Sequence, residues 1–279
     1  SPITMRNVTP IARLTEEAGV IAVPTNGKIK TWADLEAAIK ANPVAPGPRA
    51  ALIDLYMTAG DTALALSAAQ TAVAAVPDDP DLLDRLGRVQ QASGDVNQAI
   101  PTFTTMAGLQ PTSALPHLRL ADLHMASKNA DAAAASIRRA MQADPRSLQA
   151  QQAGITLALR EKQPAQALAI ARTIQTQRPD DAIGFMVEGE IELAQKNHEP
   201  AIAALRKALT KPNSAMAAPQ LHLALLGAKQ NAEADRMAAS WTKTHPDDTT
   251  FALHLSALAA NQGNPVLAES RYREVLKRQ

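Results

Sequence analysis

The stretch AVAAVPDDPDLLDRLG, residues 72–87, joins two runs of helix-forming sequence through a short stop. An alanine-rich run ends at Pro77, which cannot continue a helix because proline lacks an N–H and its ring clashes with the preceding turn. Two aspartates follow, and Pro80 suits the first position of a new helix. The stretch therefore predicts the end of one helix and the start of the next.

The same features recur along the chain at a nearly constant spacing. Prolines stand at Pro43, Pro77, Pro111, Pro145, Pro179, Pro212 and Pro246, with steps of 34, 34, 34, 34, 33 and 34. An alanine column has the same steps: Ala65, Ala99, Ala133, Ala167, Ala201, Ala234 and Ala268. A small side chain at this position lets two helices approach closely where they cross. The columns predict seven copies of one structural unit.

A third column predicts a break in the middle of each copy. It reads Gly60-Asp61, Gly94-Asp95, Lys128-Asn129, Lys162-Gln163, Lys196-Asn197, Lys229-Gln230 and Gly263-Asn264. Glycine and asparagine are typical turn residues. Between the breaks, apolar residues recur at helical steps of three and four, as in Leu83, Leu86 and Val89. Each copy is therefore expected to be a pair of helices that turn back on each other.

The best copy reads Leu83-x2-Leu86-Gly87-x2-Gln90, then Ala99-x3-Phe103, then Pro111. This resembles the W-x2-L-G-x2-Y, A-x3-F, P pattern of the tetratricopeptide repeat, with leucine for tryptophan and glutamine for tyrosine. Other copies depart further, with Gly154-Ile155 and Glu188-Gly189 where a Leu-Gly pair is expected. The resemblance implies an all-α, right-handed α-solenoid of about seven helix pairs over residues 46–279. The repeats would be 46–79, 80–113, 114–147, 148–181, 182–214, 215–248 and 249–279.

Residues 1–43 form a separate N-terminal segment. Gly19 to Pro24 is predicted to be a short buried strand, and Thr31 to Ala41 a helix capped by Thr31, with Asp34 three residues on. Residues 8–43 resemble an internal segment of the solute receptors of tripartite tricarboxylate transporters. The helix is in phase with the proline column and is expected to act as a pseudo-cap over the first repeat. The alternative is a fused fragment whose position next to the first repeat is a coincidence.

The composition excludes several classes of function. Aromatic residues make up 3% of the chain, and its alanine and leucine suit closely packed helices better than a sheet. A net charge of +1 leaves no excess of basic residues that would indicate nucleic-acid binding. The absence of cysteine excludes disulfides and thiolate chemistry. No run of 18 apolar residues and no signal peptide is present in this sequence, so we expect no direct membrane span, and the compartment stays open.

The sequence carries no recognisable catalytic, cofactor-binding or metal-binding motif. Of the six histidines, His222 and His254 lie on successive first helices and can approach, but no acidic neighbour completes a metal site. The acidic pairs Asp78-Asp79, Asp180-Asp181 and Asp247-Asp248 follow the column prolines, where helices need caps. The sequence therefore predicts a protein without enzymatic activity and without a cofactor.

The tetratricopeptide resemblance implies that the first helix of each pair lines an inner groove. The candidate partner-binding residues on these helices are Arg85, Arg88, Arg119, Asp122, Met125, Gln152, Arg160, Met186, Glu190 and Leu223, with Met216 among their apolar neighbours. The first half of this set is charged and the second half is richer in apolar side chains and methionine, which adapts to irregular partners. Some of these residues could instead serve packing.

The repeats also resemble a narrower family. The run LADLHMASKNADAAAASIRRAMQADP, residues 120–145, is similar to the long tetratricopeptide lipoproteins of exosortase/PEP-CTERM, exopolysaccharide-linked systems. That resemblance implies a bacterial scaffold of the periplasm or cell envelope that helps sorting or export. We expect a monomer with a protein or peptide partner and no nucleic acid. The alternative is a piece of a periplasmic solute-binding receptor fused to repeats.

Overall fold

The computed structural model describes residues 8–11, 21–24 and 32–276, and the side chains of residues 34–273. The chain divides into two compact units, residues 1–145 and residues 146–279. From residue 32 onward the described regular structure is helical in both units. The expected all-α architecture of the repeats is therefore present.

The N-terminal segment contains a small antiparallel sheet. Strand β1, Val8–Ile11, pairs with β2, Ile21–Pro24, so that Val8 lies opposite Pro24. The predicted strand at residues 19–24 overlaps β2, whereas β1 was not predicted, and the burial of these side chains lies outside the described residues. Helix α1, Trp32–Ala41, follows and packs against the first repeat helix, with Leu35 buried. The proposed cap, Thr31, also lies outside the described residues.

Helix pairs make up the rest of both units. The first unit contains α2 (Pro46–Thr58), α3 (Thr62–Ala75), α4 (Pro80–Ala92), α5 (Val96–Leu109), α6 (Leu115–Ala126) and α7 (Ala130–Ala143). The second unit contains α8 (Leu148–Arg160), α9 (Pro164–Gln177), α10 (Ile183–Ala194), α11 (His198–Leu209), α12 (Ala217–Gly227), α13 (Asn231–Thr244), α14 (Thr249–Asn261) and α15 (Pro265–Leu276). The even-numbered helices from α2 to α14 are called first helices, and their odd-numbered successors second helices.

The proline column ends helices as predicted. Helices α3, α5, α7, α9 and α13 each stop two residues before their column proline. Aspartates then cap the next helix: the Leu82 N–H donates to Asp79 Oδ1 at 2.9 Å, and the Phe251 N–H donates to Asp248 Oδ1 at 3.0 Å. Asp181 likewise accepts from the Ile183 N–H at 2.9 Å. Asp79 and Asp248 are thus helix caps, and Asp181, the residue before the N-cap Ala182, accepts an N–H of α10.

The break column forms the turns within the helix pairs. Its first residues all have left-handed backbone: Gly60 (φ 77°), Gly94 (80°), Lys128 (58°), Lys162 (57°), Lys196 (61°), Lys229 (61°) and Gly263 (75°). The next N–H donates back to a carbonyl five residues earlier, for example from Asp95 to Gln90 and from Asn129 to His124, both at 2.8 Å. This is the Schellman arrangement, which satisfies carbonyls at a helix end. The predicted turn positions are confirmed.

The alanine column lies in the core of every repeat. Six of its residues have no exposed surface and Ala268 is 4% exposed. Because the site has no spare volume, a longer side chain would force the two helices of the pair apart. The column therefore marks helix crossings, as the sequence predicts.

In the sequence, a large residue on one helix of each repeat is matched by a small one on the other, and in two repeats the structure shows the contact. A Cβ added to Gly87 would lie 2.5 Å from the Phe103 ring, and one added to Gly189 would lie 2.5 Å from Leu205 Cγ. Where the first helix has a large residue instead, the second helix has alanine. The seven pairs, in order, are Ile53–Ala69, Gly87–Phe103, Ala121–Ile137, Ile155–Ala171, Gly189–Leu205, His222–Ala238 and Ser256–Tyr272.

Candidate partner-binding face

Ion pairs link neighbouring first helices in the first unit. Arg85 of α4 donates from Nε to Asp54 Oδ1 at 3.0 Å and from Nη2 to Oδ2 at 2.8 Å. Arg119 of α6 donates from Nε to Asp84 Oδ1 at 2.7 Å and from Nη2 to Oδ2 at 3.2 Å. Both pairs have the two-pronged geometry that holds a guanidinium firmly on a carboxylate. Two of the four predicted arginines, Arg85 and Arg119, therefore already have partners within the chain.

Burial distinguishes these pairs from an ordinary surface contact. The side chain of Asp84 is 13% exposed and that of Arg119 is 29% exposed. Burial acts to lower the pKa of Arg85, but the hydrogen bond and charge of Asp54, together with Asp81 and Asp84, raise it above its ordinary value. Arg85 thus stays charged and bound to Asp54. An approaching anion would have to compete with these carboxylates.

Arg88 is the accessible arginine of this face. Its Nη1 lies 4.0 Å from Asp84 Oδ2, and half of its side chain is exposed. It lines a cavity of about 490 Å³ together with Asp54, Met57 and Arg85. On the next first helix, the predicted residues Asp122 and Met125 are both exposed.

Apolar side chains lie exposed on the first helices of the second unit. Met216, at the start of α12, is 58% exposed, Leu223 of α12 is 46% exposed, and Leu253 of α14 is 43% exposed. Helices α10, α12 and α14 pack side by side in that order. We call the surface formed by Met186, Met216, Leu223 and Leu253 the apolar face.

Polar residues border the apolar face. Glu190 is exposed on α10 and accepts a hydrogen bond from Gln220 Nε2 of α12. Gln152 and Arg160 are exposed on α8, and Met186 is half-buried. Leu253 was not among the predicted residues, although it occupies the same position of its repeat as Met186. This equivalence of repeat position, which is visible in the sequence, could have identified Leu253.

The described residues contain no metal centre. No group of three or more histidine, aspartate or glutamate side chains is placed to hold a metal ion within this part of the chain. His222 and His254 do approach each other, as the sequence allows, and form a hydrogen bond. Among residues 32–276 no helix is long and apolar enough to cross a membrane.

Comparison with known proteins identifies the repeats. Two family models, both described as tetratricopeptide repeat, match residues 90–154 and residues 153–215. The chain contains tetratricopeptide repeats. Tetratricopeptide repeats are typical of scaffolds that bind proteins or peptides, so the expected class of partner follows from the family.

Two solved structures, yeast Tom70 and PilW, support the helical-repeat fold, and a third is reported with them. Yeast Tom70 is 13% identical with a TM-score of 0.56, and the match covers 88% of this chain and 54% of that one. PilW, a type IV pilus biogenesis factor, is 21% identical with a TM-score of 0.50, covering 70% and 91%. The APC/C hetero-tetramer Cut9–Hcn1 is 17% identical with a TM-score of 0.49, covering 87% and 45%. The chain thus spans about half the length of the Tom70 and Cut9–Hcn1 chains. No curated protein matches it.

Proposed function

We propose that the chain is a non-enzymatic interaction scaffold whose apolar face binds an apolar segment of a protein or peptide partner. The observation that carries the proposal is the exposure of Met216, Leu223 and Leu253 on adjacent first helices. Exposed apolar patches bordered by polar residues mark interaction sites. Burying these side chains against a partner removes apolar surface from water, which favours association.

The first helices of the first unit also carry accessible side chains. Arg85 and Arg119 are held by carboxylates of the chain, so a partner carboxylate gains little by exchanging with them. Arg88, Asp122 and Met125 remain accessible there. We propose these three residues as the partner contacts of the first unit.

Methionines give the apolar face a broad range of possible partners. Met186 and Met216 carry unbranched, polarisable side chains that adjust to irregular surfaces. Glu190 and Gln220, which are joined by a hydrogen bond, border the face and favour polar or basic flanking residues in the partner. Gln152 and Arg160 extend the polar surface along α8.

A random dodecapeptide library displayed on phage and panned against the full chain tests the proposal. Selected peptides should be rich in leucine, isoleucine or phenylalanine. Their affinity, measured by calorimetry, should fall at least tenfold in Met216→Lys/Leu223→Lys. The matched control is Val266→Lys on α15, because Val266 is 78% exposed but lies on a second helix. Equal losses in the two variants, or a failure to select any peptide, would contradict the assignment.

We also propose that the natural partner belongs to a bacterial envelope sorting or exopolysaccharide export system. The support is the similarity of the repeats to tetratricopeptide lipoproteins of such systems. A photoreactive amino acid at position 223, activated in cells of the source organism, would cross-link the partner for identification by mass spectrometry. Cross-linking only to proteins outside the envelope would refute the proposal.

A further inference from the structure

A pair of histidines, His222 buried and His254 half-buried, joins the first helices α12 and α14. His222 of α12 is 3% exposed, and its Nδ1 lies 2.9 Å from Nε2 of His254 on α14. The Phe251 ring packs near both, with centroids 6.0 Å from His222 and 5.7 Å from His254. In a neutral pair, one ring donates the shared hydrogen and the other accepts it. Among the described residues this is the hydrogen bond that directly connects α12 with α14.

The neighbouring helices leave α14 loosely attached. Trp241 near the end of α13 contacts Phe251 and donates from Nε1 to Asp248 Oδ2 at 2.8 Å, which joins the two helices at one end. Away from that end a cavity of about 530 Å³ opens between them, lined by Ala238, Leu255 and His222. Ala238 is only half-buried, although alanines at the same repeat position elsewhere have no exposed surface.

Several charged groups surround the pair. Asp235 and Lys243 of α13 and Arg271 of α15 line the same cavity, while α12 and α14 contribute no other titratable side chain. Burial, and then the charge of His222, lowers the pKa of His254 to about 4. Burial also lowers the pKa of His222, Asp235 opposes this effect, and Arg271 adds to it. Both rings are therefore neutral at neutral pH in the folded chain.

We propose that His222 and His254 form a proton-operated latch, which holds α14 and α15 against α12 at neutral pH and releases them in mildly acidic solution. When both rings are doubly protonated, the facing nitrogens both carry hydrogens, so no acceptor remains for the bond. His222 also becomes a cation in a buried place and His254 one in a half-buried place, which is costly without a counter-charge. Release lets both rings reach water, where a charged imidazolium is solvated.

The direction of the pH effect follows from linkage. Histidine in an unfolded or released segment binds a proton near its ordinary pKa of about 6.5, whereas the closed pair binds protons only at lower pH. The attachment is therefore fully stable above about pH 6.5 and weakens as pH falls toward about 4. Since Leu223 and Leu253 are the sequence neighbours of the two histidines, release also changes the end of the apolar face.

Amide hydrogen exchange followed by NMR on the full chain tests the latch. Protection factors, corrected for the intrinsic pH dependence of exchange, are compared at about pH 7.5 and about pH 5. Two protons taken up on release should lower the protection of α14 about a hundredfold over this range. Helix α10 of the same unit serves as the internal reference and should change little. A fall of equal size in both helices, or no fall, would overturn the proposal.

Variants separate the latch from general acid sensitivity. His222→Gln/His254→Gln keeps hydrogen-bonding side chains that do not titrate, so the pH dependence of α14 should vanish. His198→Gln changes a half-buried histidine on α11 and should leave the pH dependence of α14 unchanged. A double variant with the parent's pH dependence would exclude the pair as its source. If that variant fails to fold, the pKa of each ring is measured from its C–H resonances in the unmodified chain. Titration of both rings near pH 6.5 while α14 stays protected would disprove the latch.

Discussion

The first helices of residues 46–145 present a face crossed by ion pairs, whereas those of residues 146–279 present apolar side chains. In the first unit, Arg85 and Arg119 each reach an aspartate on the preceding first helix. In the second unit, Leu223 and Leu253 are more than two-fifths exposed. The two faces are built on the same helix pairs, with the same proline, alanine and break columns.

The difference shows which positions the repeat constrains. Residues at helix crossings must have complementary sizes, because protein interiors leave few voids and resist extra volume. Gly87 with Phe103 and Gly189 with Leu205 meet this requirement identically in the two units. Positions on the exposed side of a first helix have no such constraint. They can therefore carry ion pairs in one unit and an interaction surface in the other.

The largest expected effect tests whether both units pair a large residue on one helix with a small residue on the other, which we call the size rule. Phe103→Ala should cost about 3–5 kcal/mol of stability, because it removes a fully buried ring and leaves a cavity. Gly87→Ile alone should cost about 1–3 kcal/mol by overpacking against Phe103. Combined, they recreate the Ile155–Ala171 arrangement, so the double variant should be more stable than Phe103→Ala. Urea unfolding measures all three.

The second unit provides the parallel experiment. Leu205→Ala should cost about 2–5 kcal/mol, and adding Gly189→Ile should recover part of that loss. If recovery occurs in one unit but the two losses simply add in the other, the core packing of the units differs as well as their faces.

Ala167→Leu should cost about 1–3 kcal/mol, because Ala167 has no exposed surface at its helix crossing. Ala165→Leu is the matched control, since Ala165 is exposed near the start of the same helix. Urea midpoints that agree for the two variants would show that the crossing tolerates a larger side chain.

Much of this architecture could be predicted from sequence because it rests on local rules. Pro77 has to end a helix, Asp79 can cap the next one, and Gly94 readily adopts the left-handed turn. The approach of His222 and His254 also followed from repeat spacing. These features depend on residue type and on the length of the repeat, and both can be read from one sequence.

The ion pairs on the first-unit face could not be predicted with the same rules. Arg85 and Arg119 were predicted as partner-binding residues, but whether an arginine meets a carboxylate depends on side-chain direction across two repeats. The separations differ, 31 residues for Asp54–Arg85 and 35 for Asp84–Arg119, so no single column reveals them. The size rule was visible in the sequence, as large and small residues alternating between two columns.

Arg119→Glu should cost about 1–2 kcal/mol, because it places a carboxylate beside the largely buried Asp84. Arg88→Glu should change stability by less than about 0.5 kcal/mol, since Arg88 is half-exposed and only 4.0 Å from its nearest carboxylate oxygen. Urea unfolding at low and high salt distinguishes the two. Reversing Arg85, Arg88 and Arg119 together is therefore expected to destabilise the first unit. Equal effects of the two single reversals would show that the Asp84 pair contributes no special stability.

A small gain in stability is expected at the breaks, which are glycine in two of the three repeats of the first unit and lysine in three of the four of the second. Lys162 has φ 57°, a conformation that crowds the Cβ of any residue except glycine. Glycine removes this strain but has more conformational freedom in the unfolded chain, so Lys162→Gly should stabilise by no more than about 1 kcal/mol. Ala203→Gly, on the exposed side of α11, should instead destabilise by about 1 kcal/mol, because there the backbone is helical. Opposite shifts of the urea midpoint would show that the lysine breaks of the second unit are strained versions of the glycine turns at residues 60 and 94. A loss of stability in Lys162→Gly would mean that the lysine side chain itself stabilises the turn.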